Sequence, residues 1–189
     1  MTKKELRALM KAREKEFLCS GAAHESSEKV WAHVEALDAF RDASCVLCYM
    51  SIPGEVETPD FISRWHGRKR MVIPRVVGDD LELFEYDPQK LVPGYLGILE
   101  PSSDALCVDP SEVDLALVPG VGFCVDTGAC SVAGKVLRMG HGKGFYDRLL
   151  PSLRCPTVGI CFNFRLVDEI PSDPWDRPLD ALVCESGLA

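Results

Sequence analysis

The chain has 189 residues, 47% of them hydrophobic, enough for one domain with its own core, and residues 1–189 read as a single domain. With 29 acidic and 21 basic side chains the formal charge is −8. That balance argues against a general nucleic-acid or membrane-surface binder and requires any anionic ligand to be held by a local cluster. No apolar run approaches the roughly 20 residues that span a bilayer and no leader pattern is present, so a cytoplasmic protein with no membrane partner is expected.

In chain order, TKKELRALMKAREKEFL places Leu6, Leu9, Met10, Arg13 and Phe17 at helical spacing and predicts an amphipathic helix. SSEKVWAHVEALDAF predicts a second, with Ser26 or Ser27 as cap and Val30, Trp31, Val34 and Leu37 as its apolar stripe. Cys45 to Ile52 is almost continuously apolar and ends in PGE, the pattern of a buried strand running into a loop. TPDFISRWHG follows as a short helix with Thr58 at the cap and Pro59 at its first position.

RMVIPRV, LELFEY and DLALVPG read as strands, GFYDRLLPSL as a helix, and TVGICF and LDALVCES as strands; residues 87 to 113 read as a long connection. This βα alternation predicts an α/β fold: an open, mostly parallel sheet with helices on both faces and ligands at the carboxyl ends of its strands. The 9 cysteines are odd in number and lack paired spacing, as expected of reduced core thiols. Cys45 and Cys48 point to opposite faces of their strand and are not expected to share a metal.

RMGHGKGFYDR, Arg138 to Arg148, alternates Gly140, Gly142 and Gly144 with His141 and Lys143 ahead of a helix. Glycines without Cβ atoms let successive N–H groups converge on an anion, and a helix start adds more. Lys143 brings a mobile charge and Arg138 a planar fork for phosphate oxygens. Asp147, in the first turn, is a candidate Mg²⁺ ligand, or else an acid favouring the helix N-terminus. Neither this stretch nor GACSVAGKV has Walker A spacing, and a glycine-rich turn serves equally as backbone punctuation.

Four separated segments decide between these: KKELR, SIPGEVET, VPGVGF and RMGHGKGFYDR. Together they resemble the 5-formyltetrahydrofolate cyclo-ligase (methenyltetrahydrofolate synthetase) family, in order from Lys3 to about Glu185. The resemblance implies a fold of the ribose-5-phosphate isomerase and CoA-transferase type and a monomer. It also implies ATP- and Mg²⁺-dependent conversion of 5-formyltetrahydrofolate, a reduced folate, to 5,10-methenyltetrahydrofolate, ADP and phosphate.

By that resemblance Lys3, Lys4 and Arg7 look like contacts to ATP phosphates, and residues 3 and 7 do lie one above the other on a helix. Glu55 looks like the acceptor that orients the pterin and its formyl group, with Met50 lining that pocket; Glu57 is more simply a cap for the Thr58 helix. Arg138, Gly140, His141, Gly142, Lys143, Gly144, Phe145 and Tyr146 look like the ATP and folate segment, with Lys143 neutralising the moving phosphoryl group. His141, Lys143, Phe145 and Tyr146 also face folate, Glu55, Lys143 and Tyr146 are the implied catalytic set, and Asp147 and Asp180 the implied Mg²⁺ ligands.

The chain departs from the family at His141, where arginine is usual, at Phe145 in place of the first tyrosine of a pair, and at Trp175, where many bacterial members have histidine. His141 leaves open a diverged enzyme acting on another reduced folate. A binding module without catalysis has no use for Lys143, Glu55, Asp147 and Asp180 together.

Overall fold

The computed structural model describes residues 1–94, 97–125 and 135–188. All of GACSVAGKV except Lys135 and Val136 lies outside them.

Helix α1 spans Lys3–Cys19. Thr2 and Glu5 close a reciprocal capping box at its start, a device the residue spacing left unread. Helix α2, Ala23–Ala36, begins ahead of the expected serine cap; Ser27 sits inside it and donates back to the Ala23 carbonyl at 2.8 Å. Leu37 turns extended and separates α2 from a short α3, Asp38–Asp42.

Strand β1 covers only Cys45–Leu47 of the expected run, because beyond Cys48 the chain leaves the ladder for the loop that carries Glu55. Helix α4, Pro59–Trp65, has Thr58 ahead of it as expected, but the Thr58 hydroxyl makes no cap bond; it pairs with Ser51 across the loop. Strands β2, Arg70–Val77, and β3, Asp80–Glu85, form a hairpin, so here the chain departs from βα alternation.

The 87 to 113 connection contains three short strands, β4 Leu91–Pro93, β5 Leu99–Pro101 and β6 Cys107–Val108. Then come β7 Leu115–Pro119, a ribbon of β8 Gly122–Val125 and β9 Val136–Met139, α5 Phe145–Leu149, β10 Thr157–Ile160, β11 Ala181–Cys184 and β12 Gly187–Leu188.

The main sheet runs β12-β11-β10-β7-β1-β2-β3-β6, parallel from β11 to β2 and antiparallel at both edges. The mostly parallel α/β sheet is therefore present. Alternate residues of β1, β2 and β7 enter two separate cores. On one face Val46, Met71 and Leu117 pack with Trp31, Phe40 and Phe61 of α2–α4.

The other face differs from the expected helical layer: Leu47, Val72 and Val118 meet Phe123 and Val136 of the ribbon, with Leu149 of the short α5. Gly159 permits this packing, since a Cβ there would lie 2.8 Å from the Phe123 ring. Cys45 and Cys48 fall in opposite cores, as their alternation requires. Helix α1 lays Leu6 and Met10 against the ribbon's Cys124 and Met139. Among the described residues no helix is long and apolar enough to cross a membrane.

Candidate active site

The parallel strands β1 and β7 end on one edge of the sheet, and the loops beyond them face each other. After β1, Ile52–Glu55 closes a turn in which the Glu55 amide donates to the Ile52 carbonyl at 3.0 Å and the Ile52 amide to Glu55 Oε2 at 3.1 Å. The Tyr49 hydroxyl donates to the Val56 carbonyl and Trp31 Nε1 to the Glu57 carbonyl, so the backbone just after Glu55 is anchored to the end of β1 and to α2. The Glu55 side chain is 8% exposed.

The glycine stretch follows β9. Gly142 (φ 97°) and Gly144 (φ 70°) hold left-handed conformations that residues with a Cβ rarely adopt. Arg7 of α1 donates from Nε to the Gly140 carbonyl at 2.9 Å, and its guanidinium lies over Gly142. Helix α5 has only five residues before a tighter turn at Leu150–Ser152, enforced by Pro151. Its dipole is correspondingly small, and positive charge at this loop comes from side chains.

Between the two loops lies a cavity of ≈370 Å³. Met50 and Glu55 line it from one side; Gly140, His141, Lys143, Gly144, Phe145, Tyr146, Arg138 and Asp147 line it from the other. His141 Nε2 stands 3.8 Å from Glu55 Oε1, with its ring mostly exposed. Lys143 is exposed, and no described side chain pairs with its ammonium.

Burial pushes the Tyr146 phenol well above its ordinary value of 10.0, the Glu55 charge adds to the shift, and Arg138, 5.3 Å from the ring, opposes it. Tyr146 is therefore a hydrogen-bond donor throughout the physiological range. Cys48 beneath the site is pushed up to about 12 by burial and is inert as a nucleophile.

Arg138 departs from the open fork expected of it. Its side chain is 4% exposed; Nη2 donates to Asp147 Oδ1 at 3.0 Å and Nη1 to the Pro119 carbonyl at 3.4 Å, while the buried Nε has no partner among the described residues. It braces Asp147 and Tyr146 from below. Lys3 is held by Asp173 and Asp176 at 2.7 and 2.5 Å; burial disfavours its charge, but the two carboxylates outweigh that and leave its pKa raised. Lys4 is exposed on the same helix.

Asp180 does not join the site. It accepts from the Thr157 amide and hydroxyl at 2.9 and 2.8 Å and pairs with Lys135 at 2.5 Å. Thr157 opens the β7–β10 ladder that ends at Pro119, where Arg138 is bonded, three residue pairs away. Three strand steps are roughly 10 Å, too far for Asp180 and Asp147 to share an ion whose ligands lie at about 2.1 Å. Magnesium commonly takes one or two carboxylates together with substrate phosphates. Asp147, on the cavity wall, fits that donor set; Asp180 does not.

Three contributors escaped the sequence reading. Arg148 donates to the Lys143 carbonyl at 3.1 Å and to Asp80 at 2.8 Å, tying the glycine loop to the β2–β3 turn. The Asp173–Asp176 pair clamps Lys3. Arg165, beneath the Glu55 turn, had a readable signal: a lone charge in the apolar run ICFNFRLV, where only a paired arginine is stable.

Comparison with known proteins gives one answer. A family model described as the 5-formyltetrahydrofolate cyclo-ligase family matches residues 1–185. The Escherichia coli K12 protein named 5-formyltetrahydrofolate cyclo-ligase is 33% identical over 153 residues, 76% of this chain and 79% of its own length. The one from Haemophilus influenzae is 30% identical, covering 85% and 86%. Among solved structures, the 5,10-methenyltetrahydrofolate synthetase of Aquifex aeolicus superposes with a TM-score of 0.84 at 33% identity over 100% of this chain and 92% of its own. That of Mycoplasma pneumoniae gives 0.74 at 26% identity, covering 98% and 99%. With the same fold throughout and the glycine stretch, the Glu55 loop and α1 meeting at one cavity, the chain belongs to the 5-formyltetrahydrofolate cyclo-ligase family.

Proposed function

We propose that this cavity carries out the ATP-dependent closure of 5-formyltetrahydrofolate to 5,10-methenyltetrahydrofolate, with release of ADP and phosphate. An N-formyl carbon is a weak electrophile toward the neighbouring N10, and its oxygen must leave. Attack of that oxygen on the γ-phosphorus expels ADP and makes a phosphate ester of the formyl oxygen. N10 then bonds to the formyl carbon, the C–O bond breaks to release phosphate, and the N10 proton is lost.

Each part has a residue suited to it. Glu55, largely buried yet facing the cavity, accepts hydrogen bonds from the pterin and aims the formyl group; Met50 and Phe145 offer apolar walls, and Tyr146 donates from its neutral phenol. Lys143, exposed and with no partner among the described residues, follows the charge of the phosphoryl group as it moves. Arg7 and the glycine backbone hold the remaining phosphates, with His141 beside them and Lys4 and Lys3 farther along α1. Mg²⁺ bound with the nucleotide would supply charge neutralisation, and Asp147, on the cavity wall, is the carboxylate that would hold it.

One observation carries the proposal: a single cavity of ≈370 Å³ gathers Glu55, Lys143 and Tyr146 from loops about ninety residues apart. The test is purified protein with ATP, Mg²⁺ and 5-formyltetrahydrofolate, followed by the near-ultraviolet absorbance of the methenyl product. An ATP-dependent rise is expected; its absence with ATP still bound would overturn the proposed reaction.

A further inference from the structure

We propose that Arg165, which does not line the cavity, is a positioning residue that sets the Glu55 carboxylate relative to the glycine loop; the inference rests on the function proposed above. Arg165 ends a turn, Asn163–Arg165, just after β10, and its side chain is 2% exposed. Nε and Nη2 both donate to the Gly54 carbonyl, at 3.0 and 2.7 Å; Nη1 donates to the Val121 carbonyl at 3.0 Å; Nη2 also meets Glu14 Oε2 at 2.7 Å.

One planar fork therefore joins three segments, and each leads to the site. Gly54 immediately precedes Glu55. Val121 follows Gly120 of the cavity wall, and its amide donates to the Met139 carbonyl at 2.7 Å, the residue before Gly140. Glu14 lies on α1 about two turns beyond Arg7, which itself holds the Gly140 carbonyl.

Gly54 shows how closely the groups are fitted: its φ is +87°, and a Cβ there would lie 2.5 Å from Glu14 Cδ. One side chain thus ties the backbone just before Glu55 to the strand pair that leads into Gly140, while Tyr49 and Trp31 hold the residues just after Glu55. Lysine offers a compact ammonium that cannot span both carbonyls, and an apolar side chain leaves both carbonyls and Glu14 without a donor.

The test compares the parent with Arg165→Lys and Arg165→Met, each assayed well below its own melting temperature. Three readouts are kcat, KM for each substrate, and amide hydrogen exchange along the chain. A misplaced reacting group costs on the order of a hundredfold in rate. Arg165→Met is expected to lose roughly 10- to 100-fold in kcat, with Arg165→Lys between it and the parent, while KM for ATP changes less than about threefold. Exchange is expected to quicken at residues 52–56 and 120–123 and to stay unchanged in α2.

A folded Arg165→Met with kcat within about twofold of the parent overturns the proposal, as does exchange quickened equally everywhere, the mark of a purely structural residue. If Arg165→Met does not fold, Arg165→Lys is judged by the same readouts. A parent without turnover refutes the proposed reaction instead, and the local exchange pattern alone then decides for or against Arg165.

Discussion

Replacing Asp147 by alanine is expected to destabilise the protein even with no nucleotide or metal present. The reason is Arg138, whose guanidinium is nearly sealed from solvent and, among the described residues, has Asp147 at 3.0 Å as its only charged partner, with the Pro119 carbonyl at 3.4 Å as its other acceptor. Removing one member of a buried pair costs about 3–5 kcal/mol. The Asp147 side chain is 19% exposed, so water can enter the space and lower the cost to about 2–3 kcal/mol. Asparagine keeps a neutral acceptor and should cost only about 1 kcal/mol. In urea, with a slope of about 2 kcal/mol/M, alanine should lower the unfolding midpoint by roughly 1–1.5 M and asparagine by about 0.5 M. Were Asp147 there only for a metal, removing a negative charge from a chain of net charge −8 would leave the metal-free midpoint unchanged or raised. A midpoint for Asp147→Ala within about 0.25 M of the parent would refute the bracing role.

Lys143→Ala should lower turnover by about a hundredfold or more with the fold intact, as for a lost charge contact to the transition state; near-parental turnover would remove Lys143 from the chemistry. His141→Arg places a permanent charge beside the glycine loop and should tighten ATP by about three- to fivefold in calorimetry, the scale of an exposed ion pair; an unchanged Kd would mean that position 141 does not face the phosphates. Alkaline pH should unfold the protein early. Burial raises the Cys48 thiol to about 12 from 9.0 and the Tyr49 and Tyr146 phenols above 10.0. The unfolded chain therefore loses these protons first, and stability, full below pH 9, falls by about 1.4 kcal/mol per pH unit above pH 9 for Cys48 and, above pH 10, by about as much again for each phenol. Urea midpoints flat to pH 11 would contradict this.

What the sequence revealed was what is decided locally. The need for glycine at 142 and 144 is a matter of two φ angles, and the α1 stripe of Leu6 and Met10 is a period that any window shows. What it concealed depends on which end of a strand faces which loop. Asp180 and Glu55 both flank buried strands, yet Asp180 precedes β11 and Glu55 follows β1, and in a parallel sheet those are opposite edges. The ribbon β8–β9 escaped because a four-residue strand that carries Arg138 and runs straight into the glycine stretch reads like the loop it leads into. Arg138 was misjudged for a similar reason: an arginine near glycines looks like an anion ligand until the Pro119 carbonyl and Asp147 are seen to occupy it.

The packing of α1 also bears on how the chain behaves while it is being made. Leu6 and Met10 are covered by Val121, Cys124, Met139 and Ile170, none of which exists when the helix leaves the ribosome. At about 5–20 residues per second, roughly eight to thirty seconds pass before Ile170 is added. Throughout that interval the apolar residues that α1 buries in the folded chain lack their partners and are open to other chains. Slower synthesis prolongs that exposure, so the first helix to be made is among the last to have its apolar face covered.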